Sequence, residues 1–144
     1  MAATATTETG VQTMRYREAL NLALREEMER DEKVFLMGED IGVFQGAFKV
    51  TAGLMQEFGE KRVRDTPISE NSIVGLGVGA AMAGLRPVVE LMTINFSLLA
   101  LDQVINSAAS IRYMFGAQVK VPLVIRMPQG AGHQLGPTHS HSFE

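Results

Sequence analysis

The segment Ile73 to Leu85, I-V-G-L-G-V-G-A-A-M-A-G-L, restricts the fold more than any other part of the chain. It carries no charge on any helical face, whereas a helix on a protein surface keeps a charged stripe opposite its apolar one. It is too short to span a bilayer, and Arg86 and Pro87 close it. Such a segment must be buried, and its Gly and Ala residues let other backbone approach closely. One acid, Glu70, stands just ahead of it.

Around this segment, apolar runs and amphipathic helices alternate. Tyr16 to Arg30 places Ala19, Leu20, Ala23, Leu24 and Met28 at helical spacing. Val34 to Gly38 is a short continuous apolar run, as in a strand buried on both faces. A loop over 41–49 and a short helix over Thr51 to Phe58, ended by Gly59, lead to a brief strand at Arg62 to Asp65. Ser69 is the expected N-cap of a helix over Glu70 to Ala83, and Gly84 its stop. A strand over Pro87 to Met92 follows. Next comes one long helix over Phe96 to Phe115, burying Leu98, Leu101, Val104, Ile105, Ala108, Ala109 and Ile111, and then a strand over Val121 to Met127. The alternation predicts an α/β fold, a mostly parallel sheet with helices on both faces. From Pro128 onward the pattern stops in a loop rich in Gly, Pro and His, so the domain over 14–144 is expected to be incomplete at its C-terminus. Residues 1–13 read as a flexible tail.

Composition excludes several functions. A net charge of −3 and the absence of long Lys/Arg runs leave no footprint for nucleic acid, and nothing is long enough to cross a membrane. With no cysteine there is no disulfide framework and no thiolate chemistry. The tail lacks the apolar core of a secretory signal and the arginines of a mitochondrial one, which predicts a bacterial-type cytoplasmic protein. Gly75, Gly77 and Ala80 fit the dinucleotide pattern G-x-G-x-x-A, but no strand ends at its first glycine, as that motif requires. His133, His139 and His141 lack the closed ligand set of a zinc site. Glu39 and Asp40, at the carboxyl end of a strand, read equally well as site residues or as solvated loop acids.

Glu70, Gly75, Leu76, Gly79 and Ala80 fit E-x4-G-φ-x-x-G-φ, the aminopyrimidine half of the thiamin diphosphate signature. With G-E-D at Gly38 to Asp40, D-T-P-I-S-E at Asp65 to Glu70, G-A-A-M-A-G-L-R-P at Gly79 to Pro87, N-F-S at Asn95 to Ser97 and D-Q-V-I-N-S-A-A at Asp102 to Ala109, the chain resembles a known family. These are the beta subunits of the two-chain E1 component of 2-oxoacid dehydrogenase complexes, above all of pyruvate dehydrogenase. The resemblance runs from about Met14 to the end.

It implies a thiamin diphosphate enzyme pyrimidine-binding domain that serves oxidative decarboxylation of pyruvate and reductive acetylation of lipoyl groups. It further implies that Glu70 hydrogen-bonds N1′ of the aminopyrimidine. In a dry pocket that contact would favour the imino tautomer, whose 4′ nitrogen can take the C2 proton. Phe96 would stack on the ring, with Ile68 and Leu99 beside the cofactor. His139 would stand near substrate and lipoyl group, and Glu39 in a polar passage between paired active sites. The Leu123 carbonyl would contribute to a potassium site with further ligands past Glu144. No G-D-G motif occurs, so magnesium is expected from another chain. The implied partners are an E1 alpha subunit, a second E1 beta subunit in an α2β2 assembly, and the lipoyl acyltransferase E2. The branched-chain 2-oxoacid enzymes are the alternative, T-I-N-F-S at 93–97 favouring pyruvate. For the 144 residues alone, a catalytically inactive interaction module also stands open.

Overall fold

A computed structural model describes residues 13–143; residues 1–12, most of the expected tail, lie outside the described residues. Its elements in order are α1 (Tyr16–Arg30), β1 (Val34–Gly38), α2 (Leu54–Phe58), β2 (Val63–Asp65), α3 (Glu70–Met82), β3 (Arg86–Glu90), α4 (Ser97–Asp102), α5 (Ser110–Met114) and β4 (Val124–Arg126). The four strands form one sheet in the order β2-β1-β3-β4, and every neighbouring pair is parallel.

Strand periodicity divides the core between the two faces. Phe35 and Met37 of β1 and Val89 of β3 pack with Ile73, Val74 and Val78 of α3 and Ala100 of α4. Val34 and Leu36 of β1 and Val88 of β3 pack against Leu24 and Met28 of α1 and Leu54, Met55 and Phe58 of α2. Helices therefore cover both faces, as the continuous apolar runs of β1 and β3 required.

Several boundaries differ from the sequence reading for local reasons. Gly53 lies in the left-handed region at φ 81°, which a helix cannot accommodate, so α2 begins at Leu54 rather than Thr51. Arg62 leaves the strand and donates to the carbonyls of Val34, Met28 and Asp31. Gly84 does stop α3: at φ 94° it lets the Leu85 amide reach back to the Ala80 carbonyl at 3.1 Å. Ser69 holds the N-cap position without a side-chain cap, because its hydroxyl donates to Ser72 Oγ at 2.8 Å. Only Val124–Arg126 of the expected last strand pairs with β3.

The long helix after β3 departs furthest. A 3-10 turn at Ile94–Phe96 precedes α4, and a π-helical stretch at Gln103–Ala109 joins α4 to α5. A π turn takes more than four residues, so the inward face follows four-residue steps. Ala100, Val104 and Ala108 point to the core, while Leu98, Leu101 and Ile105, expected inside, stand outside at 55%, 40% and 55% exposure. Helix α3 corrects a second expectation: Ile73, Val74, Gly77, Val78 and Ala81 are buried, but Leu76 is 62% exposed. In this chain the uncharged helix is buried on one face only.

Candidate functional site

Parallel strands send all their carboxyl ends to one edge of the sheet. The connection leaving β1 goes to α2 on one face, and the connection leaving β3 goes to α4 on the other. A crevice opens where adjacent strands diverge in this way, and open α/β sheets bind ligands there. Glu39 follows β1, Glu70 follows β2, Phe96 follows β3 and His139 follows β4, so the topology places the ends of all four strands, and these residues after them, along one rim.

The loop carrying Glu39 is held through its backbone groups, chiefly by the side chains of Asp65 and Thr51. The Asp65 carboxylate accepts from the amides of Gly42 at 2.6 Å and Val43 at 3.0 Å. A side chain at Gly42 would stand 2.8 Å from Met55 Sδ and 3.0 Å from Asp65 Oδ2, so this contact needs glycine. Thr51 Oγ1 donates to the Ile41 carbonyl at 2.7 Å, and the Gly46 amide to the Asp40 carbonyl at 2.8 Å. At the strand end, a Cβ on Gly38 would lie 2.6 Å from the Glu90 carbonyl oxygen.

Glu70 opens α3 and is 6% exposed. No donor among the described residues bonds its carboxylate, and Thr66 Oγ1 is the one side-chain polar atom among them that is sealed without a partner. The Glu70 oxygens therefore face an opening. The positive end of the α3 dipole lies beside them. Burial first, then the charges of Glu70 and Asp40, push the Glu39 carboxyl above the usual glutamate range. Glu39 and Glu70 are thus electrostatically coupled.

The edge of the His139 ring meets the Phe96 ring, with centroids 5.2 Å apart and planes at 87°. Thr138 Oγ1 lies 2.9 Å from His139 Nδ1. Ile68 and Leu99 are 75% and 62% exposed, on the outside of the rim. Leu123 precedes β4, at the opposite end of the sheet, where its Cδ1 lies 3.1 Å from the position a Cβ on Gly77 would take. Among the described residues no three metal-ligating side chains converge, and no helix is long and apolar enough to cross a membrane.

Three features were not legible in the pattern. A cavity of about 370 Å³ lies beside the Phe96–His139 pair, lined by Phe48, Met92, Thr93, Pro128, His133 and Leu135 among others, with His139 on its wall. His133 enters that lining against Phe48, ring centroids 5.0 Å apart. Beneath the rim, Glu90 is 5% exposed and bonds Arg126, its register partner on β4. The lone acid in the otherwise apolar run of β3 was the available signal for that pair, since a buried acid demands a cation.

Comparison with known proteins bears on the family and the fold. Residues 12–144 match the family model described as transketolase, pyrimidine binding domain. The chain is 55% identical over 127 residues to a protein of Rickettsia bellii named pyruvate dehydrogenase E1 component subunit beta, covering 88% of this chain and 39% of that protein. It is 54% identical to the Rhizobium meliloti protein of that name, covering 94% of this chain and 29% of the other. With the Bos taurus mitochondrial protein the identity is 55%, covering 88% and 35%. The chain thus spans about two fifths or less of the length of these curated relatives. Among solved structures, a chain titled split gene transketolase, inactive beta4 tetramer, has the same fold, with a TM-score of 0.55 and 18% identity over 86% of this chain and 36% of that one.

Proposed function

The chain belongs to the transketolase pyrimidine-binding domain family, and on that premise we propose that it is the pyrimidine-binding part of a pyruvate dehydrogenase E1 beta subunit. The observation that carries this reading is Glu70: a residue more than nine-tenths buried, bonded by no donor among the described residues, heading an otherwise uncharged helix. A buried acid without a partner costs stability unless something completes it. The basic ring nitrogen of an aminopyrimidine is a fitting complement.

These residues fit thiamin diphosphate. When bound, the cofactor would supply a nucleophilic thiazolium C2 for the 2-oxo carbon and a cationic ring able to take up the electron pair released on decarboxylation. Glu70 holds a proton against N1′ of the aminopyrimidine, in a setting where low water content strengthens the bond. Burial and the nearby charge of Glu70 raise the Glu39 carboxyl, so Glu39 keeps its proton to higher pH than a free glutamate does. Phe96 offers an aromatic wall, and Ile68 and Leu99 offer exposed apolar surface at the rim. His139, packed edge-on with Phe96, donates a proton to the sulfur released as the lipoyl disulfide opens, while the other sulfur takes the acyl carbon and the disulfide takes up the two electrons of the oxidation.

The whole protein works with an E1 alpha subunit, which brings magnesium, and with a second beta subunit and the lipoyl acyltransferase E2. Supporting this are the uncharged outer face of α3 and the exposed Leu98, Leu101 and Ile105, since apolar surface on this scale calls for a cover. The Leu123 carbonyl contributes to a potassium site completed by residues beyond this chain, and the protein is cytoplasmic.

Glu70→Gln in the complete protein with its alpha partner tests the reading. Assembly should persist while C2 proton exchange of bound thiamin diphosphate, followed by NMR in deuterated water, falls sharply; unchanged exchange would remove Glu70 from the chemistry. Turnover of 3-methyl-2-oxobutanoate faster than pyruvate would move the protein to the branched-chain enzymes.

A further inference from the structure

We infer that His141 is a positioning residue for the acyl-transfer end of the site, acting through Asn95 to hold His139 against Phe96. Asn95 is 8% exposed and sits between Thr93 and Phe96 on the 3-10 turn after β3. Its Oδ1 accepts from Thr93 Oγ1 at 2.7 Å. Its amide nitrogen must then donate elsewhere, and Nδ2 lies 2.8 Å from His141 Nδ1. In that arrangement His141 accepts at Nδ1 and carries its proton on Nε2.

Two backbone bonds run alongside. The Ile94 amide donates to the Pro128 carbonyl at 2.9 Å, and the Gly130 amide to the His141 carbonyl at 3.1 Å. Together they fasten the loop after β4 to the turn after β3. The two side chains so joined are close in sequence to the two that form the ring pair: Asn95 precedes Phe96, and His141 follows His139 by two positions. The same residues shape the cavity, because Thr93, Pro128, Gly130 and His139 all line it.

Loops of this kind are otherwise loosely held. His139 and His141 are both exposed, and the 3-10 turn Pro137–His139 is a single turn without a side-chain cap. Losing the acceptor at position 141 leaves the Asn95 amide nitrogen buried without its partner and frees His139 to leave the Phe96 ring. Glu70, on α3, shares no hydrogen bond with this clasp among the described residues. The device therefore governs the second half of the reaction and not the first.

The inference rests on the function proposed above, and its test separates the two. In the complete protein with its alpha partner, two rates are measured: oxidation of the 2-oxo acid with a dye as electron acceptor, and reductive acylation of an isolated lipoyl domain. His141→Ala should lower lipoyl acylation about tenfold or more, within the roughly hundredfold that an ångström of misplacement can cost, while the dye-coupled rate stays within about twofold. His141→Gln, which restores an acceptor for Asn95, should recover most of the loss. His139→Ala is the control. If it lowers acylation and His141→Ala does not, or if His141→Ala lowers both rates equally, the clasp has no positioning role. If His139→Ala leaves acylation unchanged, the proposed role of His139 is at fault, and the clasp inference falls with it.

Discussion

Replacing Gly77 or Gly79 by alanine tests how α3 meets the sheet. Both glycines lie inside the helix, so each substitution gains about 0.8–1 kcal/mol of helix propensity. At Gly79 the new Cβ would meet no heavy atom within 4 Å, and the gain stands alone. At Gly77 the Cβ would lie 2.7 Å from Val89 Cγ2 and 3.1 Å from Leu123 Cδ1. Val89 is fully buried and stiff about χ1, so it cannot swing away. Overpacking of this kind costs about 1–3 kcal/mol. Gly77→Ala should therefore be net destabilising by about 0–2 kcal/mol and Gly79→Ala stabilising by about 1 kcal/mol, a gap of about 1–3 kcal/mol. Urea unfolding of the purified chain measures it as opposite shifts of midpoint at constant slope. Equal stabilisation by both substitutions would refute the close contact of α3 with β3. In the assembled protein, Gly79→Ala should weaken assembly if another backbone lies on that outer face.

Other expectations follow from the charges. Because the Glu39 pKa is raised, the unfolded chain loses this proton first as pH rises, so the ionised side chain costs stability above the folded pKa and nothing below the ordinary glutamate range. Glu39→Gln should stabilise the fold at neutral pH, and denaturant midpoints should show that advantage vanish in acid. Glu90→Gln or Arg126→Met alone should destabilise by about 3–5 kcal/mol through the unpaired partner, whereas replacing both with methionine should cost far less. Thermal melts of the two single variants and the double variant check this.

Much of the fold is legible in local pattern. The boundaries of α1 and β1, the start of α3 at Glu70 and its stop at Gly84 agree with the reading of the chain. Local signals also yield the parallel alternation, since apolar runs without polar alternation imply strands covered on both faces. The helix after β3 departs from the reading for two reasons: α4 turns the small Ala100 inward, which leaves Leu98 and Leu101 outside, and the π stretch beyond it turns Val104 and Ala108 inward in place of Ile105. Glu70, Phe96, His139 and Glu39 were reachable through resemblance, but their placement on one rim follows from the strand order.

The sequence alone determined the kinds and order of the elements, because these depend on residues a few positions apart: periodicity, caps, and glycines at positive φ. Only tertiary structure decided that Glu90 faces Arg126 across a register pair, that Asp65 holds the loop bearing Glu39, and that Asn95 meets His141. Each of those joins segments 23 to 46 residues apart. Such contacts arise from strand register and loop path, and no local pattern along the chain encodes either.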